Sequence, residues 1–93
     1  MLIIQEVEKM ALSYMSIPTS TKKLGQEVTR IIDGYTSGQL TEDELTEAIE
    51  TWKMNVPQLL VDDDSMLVSQ KLTNIIGKRR AMVVTTILRK LST

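Results

Sequence analysis

Leu40-Thr41-Glu42-Asp43-Glu44-Leu45, continued by Ala48, Ile49, Trp52 and Val56 and closed by Pro57, is the stretch whose reading decides the fold. Thr41 can accept a hydrogen bond from the amide three residues on, while Glu44 reaches back to the Thr41 amide; the reciprocal pair starts a helix, and Leu40 is placed to pack on Leu45. Glu42, Asp43 and Glu44 put negative charge in the first turn, where the helix dipole favours it by about 0.3–1 kcal/mol each. Leu45, Ala48, Ile49, Trp52 and Val56 recur at steps of three and four, so they share one side. Pro57 ends the run, because the residue before a proline is pushed out of the helical region. Trp52, the only tryptophan, is the expected anchor of the core.

The same period extends in both directions. Upstream, Thr19-Ser20-Thr21 can cap a helix. Its stripe is Leu24, Val28, Ile31, Ile32 and Tyr35, opposed by Lys22, Lys23, Gln26, Glu27, Arg30 and Asp33. Gly34 and Gly38 bracket its end, where a residue free to take positive φ can close the last carbonyls. Gly25 costs about 1 kcal/mol relative to Ala inside this stripe, and its missing side chain is expected to let another helix approach. Earlier still, Ile3, Val7, Met10, Ala11 and Tyr14 predict an N-terminal helix within residues 1–17. Leu2, Ile4, Leu12 and Met15 lie on its other sides. A helix this apolar inserts into the core or meets a partner, including a second copy of the chain as a homodimer.

Downstream, Gln58 to Asp64 reads as a connection that tucks Leu59, Leu60 and Val61 onto the core and turns Asp62, Asp63 and Asp64 outward. Asp64 or Ser65 is expected to cap the next helix, with Leu67 or Val68, Leu72, Ile75 and Ile76 inward and Gly77 as its stop. The last helix follows at once, with Ala81, Val84, Ile87, Leu88 and Leu91 on its main face and Met82 and Val83 widening it. Val83-Val84-Thr85-Thr86-Ile87 is β-branched enough for a strand, but the flanking stripe and the helix formers Leu88 to Leu91 favour helix. The expected fold is all-α: one domain over residues 1–93, a compact bundle of four to five short helices.

Composition narrows the chemistry. The 93 residues carry a net charge of −1 and contain no Cys, His or Phe. Without cysteine there is no disulfide framework, Cys-type zinc site or thiol nucleophile, which favours an intracellular, cytoplasmic protein. Without histidine the commonest general acid/base and the commonest transition-metal ligand are missing. The serines and threonines have no base partner to activate them. A non-catalytic protein with no cofactor and no metal is the expectation. Acidic residues in Met1-Leu2-Ile3-Ile4-Gln5-Glu6-Val7-Glu8 read as folded protein rather than a secretory signal. The uncharged run from Met10 to Thr21 contains Pro18 and is far shorter than the roughly 20 apolar residues of a membrane span.

Charge is distributed unevenly. Residues 1–40 balance four acids with four bases, residues 41–64 set eight acids against Lys53, and residues 65–93 hold six bases and no acid. Lys78, Arg79 and Arg80 fall in the first turn of the last helix, where the dipole disfavours cations. A counter-charge is therefore expected nearby: either the chain's own Asp62, Asp63 and Asp64, or an external phosphate or carboxylate. These six residues are the candidate partner-binding set, with another protein as the expected partner and nucleic acid as the alternative. In that alternative residues 77–91 are the recognition helix of a small transcriptional regulator, although no Asn, Gln or Ser follows Arg80 on the exposed side to read base edges. Asp62 to Asp64 lack the alternating ligands, central glycine and distal glutamate of a calcium loop and read as a solvated cap. The six methionines fill gaps left by absent Phe, or serve an adaptable binding surface.

From about Leu24 to Leu91 the chain resembles a family of short, functionally uncharacterised proteins of Gram-positive bacteria and their phages. The resemblance is carried by Ile32-Asp33-Gly34-Tyr35, then Gly38, Leu40, Thr41, Glu42, Glu44 and Leu45, then Ile76-Gly77-Lys78-Arg79-Arg80 before Val84, Ile87 and Leu88. It implies a small helical protein, often phage-borne, and supplies no activity or site residue. With the charge pattern, it suggests an interaction module of a phage or mobile element that binds and modulates a host protein complex.

Overall fold

A computed structural model describes residues 14–62 and 67–92 of the chain. Among the described residues five helices follow one another: α1 (Thr21–Thr36), α2 (Glu42–Asn55), α3 (Pro57–Leu60), α4 (Gln70–Ile76) and α5 (Lys78–Ser92). The all-α bundle expected from the periodicity is the observed architecture. Among the described residues the only β pairing is an isolated antiparallel bridge between Val61 and Val68.

The start of α2 follows the capping chemistry of its residues. Thr41 Oγ1 accepts from the Glu44 amide at 3.2 Å, and Glu44 Oε1 accepts from the Thr41 amide at 2.7 Å. Leu45, Ala48, Ile49 and Trp52 are buried along one side of the helix. The chain leaves the helix at Val56, and Pro57 then opens the single turn of α3, a first-turn position where its missing amide is no loss. Pro57 therefore separates two helices instead of introducing a loop.

In α1, Ser20 is the cap and accepts from the Lys23 amide at 3.2 Å. The two glycines near its end have different tasks. Gly38 takes φ +85°, which L side chains rarely adopt, whereas Gly34 is still helical and a Cβ there would lie 3.0 Å from Leu40 Cδ1. Gly25 gives the close approach expected of it. A Cβ at that position would lie 2.5 Å from Ile75 Cγ2, so α1 and α4 cross where the side chain is absent.

One expectation about helix limits is corrected. Asp64 and Ser65, expected to cap the fourth helix, lie outside the described residues, and α4 begins later, at Gln70, with Ser69 as its cap. Leu67 to Ser69 is drawn into pairing with Leu60 to Asp62. The Asp62 amide donates to the Leu67 carbonyl at 3.0 Å and the Ser69 amide to the Leu60 carbonyl at 2.9 Å. Ser69 Oγ then donates to the Leu59 carbonyl and accepts from the Leu72 amide. Val68 is consequently the inward residue and Leu67 is 52% exposed.

The N-terminal helix expected within residues 1–17 falls mostly outside the described residues. Residues 14–17 are not helical, and residues 1–13 lie outside the described residues. Tyr14 to Ile17 form a strap across α2. Trp52 Nε1 donates to the Met15 carbonyl at 2.8 Å and Asn55 Nδ2 to the Ser16 carbonyl at 3.0 Å. The Thr51 hydroxyl proton is committed to the Glu47 carbonyl, so Tyr14 donates to Thr51 Oγ1 at 3.1 Å. The Tyr14 ring meets the Trp52 ring edge to face, with centroids 5.4 Å apart.

The helices converge on one core in which Leu24, Val28, Ile49, Trp52, Leu60, Leu72, Val84 and Leu88 are all 0% exposed. α5 supplies Ala81, Val84, Ile87 and Leu88 to it and packs on α1, α2 and α4. Its side away from the core is thereby fixed, and the candidate site lies there.

Candidate partner-binding surface

The chain turns from α4 into α5 at Gly77, whose φ of +90° allows one residue to redirect it. Lys78, Arg79 and Arg80 thus stand in the first turn of a helix, where the dipole opposes them. The three side chains have different fates. Arg80 folds back onto the protein: its Nε donates to Asp33 Oδ1 at 3.0 Å, its Nη2 to Asp33 Oδ2 at 3.1 Å and its Nη1 to the Ile76 carbonyl at 3.0 Å. One guanidinium therefore joins the end of α1, the end of α4 and the start of α5. Lys78 and Arg79 are exposed and make no ion pair among the described residues.

The counter-charge for Arg80 is thus Asp33. Asp62 has its own task, since its Oδ2 accepts from the Gln70 amide at 3.1 Å and helps cap α4. Asp63 and Asp64 lie outside the described residues. At the other end of α5, Lys90 Nζ donates to Glu42 Oε2 at 2.9 Å. Both ends of the helix are therefore tied to acids on α1 and α2. Part of the opposite charge carried by the later and earlier segments is satisfied inside the fold.

The Arg80–Asp33 pair is bidentate but half in water, with 36% and 54% of the two side chains exposed. A double-mutant cycle of Arg80→Ala and Asp33→Ala in urea denaturation is expected to give a coupling of about 0.2–1 kcal/mol. Arg80→Ala alone should exceed that coupling, because it also removes the donor to the Ile76 carbonyl. A coupling near zero would remove Arg80 from the role of tie.

Sequence reasoning placed Met82 on the widened inner face, but it is 70% exposed. Helical spacing sets it on the same side as Lys78 and Arg89, opposite Val84 and Leu88. Together with Leu67 and Val68 these residues border an open groove of about 400 Å³. The period of α5 read alone would have located this side, since positions 78, 82 and 89 fall outside the buried stripe. Leu67 could not be placed in that way, because only the pairing with Leu60 to Asp62 turns it outward.

Among the described residues no cluster of three or more acids is positioned to hold a metal ion, and no Asp, Glu, Lys or Arg is buried. No described helix is long and apolar enough to cross a membrane. These features define a small all-α bundle whose exposed chemistry is charge and apolar contact. The chain belongs to a family of conserved hypothetical proteins, matched over residues 16–89. That span takes in the strap residues Ser16 and Ile17, all of α1 to α4, and α5 through Arg89. Comparison with curated proteins and with solved structures gives no match.

Proposed function

We propose that the chain is a non-catalytic module that binds another protein through the exposed basic side of α5, with Lys78 and Arg79 as the electrostatic contact. The observation that carries this reading is the contrast within one helix turn. Arg80 has an acid of the fold beside it, while Lys78 and Arg79 take none among the described residues and stand where the dipole penalises them. Cations in such a position do nothing for the helix and are available to a carboxylate on another molecule. The resemblance to proteins of Gram-positive bacteria and their phages adds a setting to this proposal: a mobile-element factor acting on a cytoplasmic host complex.

The test separates binding from folding. Reversing Lys78 and Arg79 to Glu replaces disfavoured cations by favoured anions, so thermal stability followed by circular dichroism is expected to hold or rise by about 0.3–1 kcal/mol per residue. Co-purification of the partner protein should be lost at the same time. Retained co-purification would count against the reading. The regulator alternative meets a geometric difficulty, because α4 and α5 are joined by Gly77 alone, where a helix-turn-helix uses a turn of about three to four residues. Retardation of random duplex DNA at low salt, lost in the same double variant, would restore it.

A further inference from the structure

The groove beside α5 combines three properties. Its floor is apolar, formed by Val68 and Ala81, each 8% exposed, and its walls carry Leu67 and Met82 at 52% and 70%. Lys78 and Arg89 stand at its two ends along α5, both exposed and without an ion pair among the described residues, and none of the described residues that line it is acidic. The ends are separated by eleven residues of helix, about 16 Å at 1.5 Å per residue, or three turns. Lys78, Met82 and Arg89 lie on one side of α5 at steps of four and seven residues, the spacing of a helix side that a second helix can pack along.

We propose that this groove receives an acidic amphipathic helix of a protein partner. Its apolar side lies on Leu67 and Met82, and carboxylates near its two ends meet Lys78 and Arg89. This deepens the protein-binding reading above and rests on it. Charge complementarity selects the occupant: two cations with apolar surface between them match a short helix with acids at its ends and leucine-like residues in its middle. Nucleic acid is a poorer match, because duplex DNA presents a charge about every 1.7 Å and calls for a continuous basic track. The apolar floor interrupts any such track here.

The probe is a labelled synthetic peptide of about three turns, with leucines on one face and glutamates flanking them, compared with a twin in which lysines replace the glutamates. Fluorescence anisotropy on the full chain is expected to show the acidic peptide binding about 10-fold or more tightly than its twin, as close charge pairs at interfaces do. Met82→Glu should weaken the acidic peptide about 10-fold or more, since a charge is placed at the centre of the apolar contact. Lys78→Glu combined with Arg89→Glu should reverse the preference between the twins. All three residues are exposed, and a circular dichroism melt of each variant establishes that it is folded.

Equal affinity for the twins, no binding of the acidic peptide, or indifference to Met82→Glu would each overturn the proposal. So would a self-association in sedimentation that Met82→Glu abolishes, which would assign the groove to a second copy of the chain. Duplex DNA binding that is unaffected by Met82→Glu but lost with Lys78→Glu and Arg89→Glu would assign the cations to phosphate and overturn it as well. Capture of a partner that is lost with Lys78→Glu and Arg79→Glu, yet untouched by Met82→Glu, would overturn the groove and leave the broader reading standing. Capture untouched by any of these changes would overturn both.

Discussion

Trp52→Ala is expected to destabilise the protein by about 3–5 kcal/mol, the range found when a large buried aromatic is truncated to a methyl group. The side chain is 0% exposed, so its whole area returns to water on unfolding. Three further losses fall on the same residue. The Tyr14 ring loses its edge-to-face neighbour, the Met15 carbonyl loses its indole donor, and the strap from Tyr14 to Ser16 is left with its hydrogen bonds to Asn55, Thr51 and Glu27 among the described residues. A domain of this kind has roughly 5–15 kcal/mol in total, so the variant should be substantially unfolded on mild warming. Trp52→Phe separates the contributions: it keeps an apolar ring and removes the N–H, losing one hydrogen bond worth about 0.5–1.5 kcal/mol. Urea denaturation followed by far-ultraviolet circular dichroism measures both. A Trp52→Ala midpoint equal to the parent's would show that the core is organised around something else.

Gly25→Ala carries the second largest expected effect, and its sign is the informative part. By helix propensity alone the change should stabilise α1 by about 1 kcal/mol. The new Cβ, however, would stand 2.5 Å from Ile75 Cγ2 and 3.2 Å from Ile75 Cβ. Ile75 is β-branched and stiff about χ1, so the methyl cannot swing aside without moving α4. Overpacking of this sort costs about 1–3 kcal/mol, and the net result is expected to be destabilising. Combining the change with Ile75→Ala removes the 2.5 Å contact and leaves one that a small helix shift relieves. Ile75 is 45% exposed, so its own truncation is mild. A thermal-denaturation cycle should therefore give a favourable coupling of about 1 kcal/mol or more between the two sites. Additivity would mean that α1 and α4 do not cross at Gly25.

How far the fold could be read in advance depended on whether its cause was local. The capping box of Thr41 and Glu44, the buried side of α2 and the inward face of α5 all follow from residues within one helix, and each appears where the period puts it. Gly25 was legible as a site of approach because its entropic penalty called for a reason. The start of α4 was not legible, because Leu67 and Val68 carry an apolar signal that suits helix or strand, and a pairing with the chain just before them decides the matter. The strap is not legible for a related reason: Tyr14 fits a helical stripe, but Trp52, Asn55 and Thr51 hold residues 14–16 on α2 through side-chain hydrogen bonds. In the candidate site, the oddity of three cations at a helix start was visible in the chain. Its division was not, since Asp33 and Arg80 are 47 residues apart and no spacing rule links them.

That α5 is synthesised after the other four described helices has a consequence for biogenesis. Val84 and Leu88, both fully enclosed, and the clasps from Arg80 to Asp33 and from Lys90 to Glu42 all belong to it. Until it leaves the ribosome, the greasy sides of α1 and α2 have no lid, and the nascent chain is at its most vulnerable to proteases and to sticking. Closure therefore waits for α5 to emerge, and the rate at which its turns appear sets the length of that exposure.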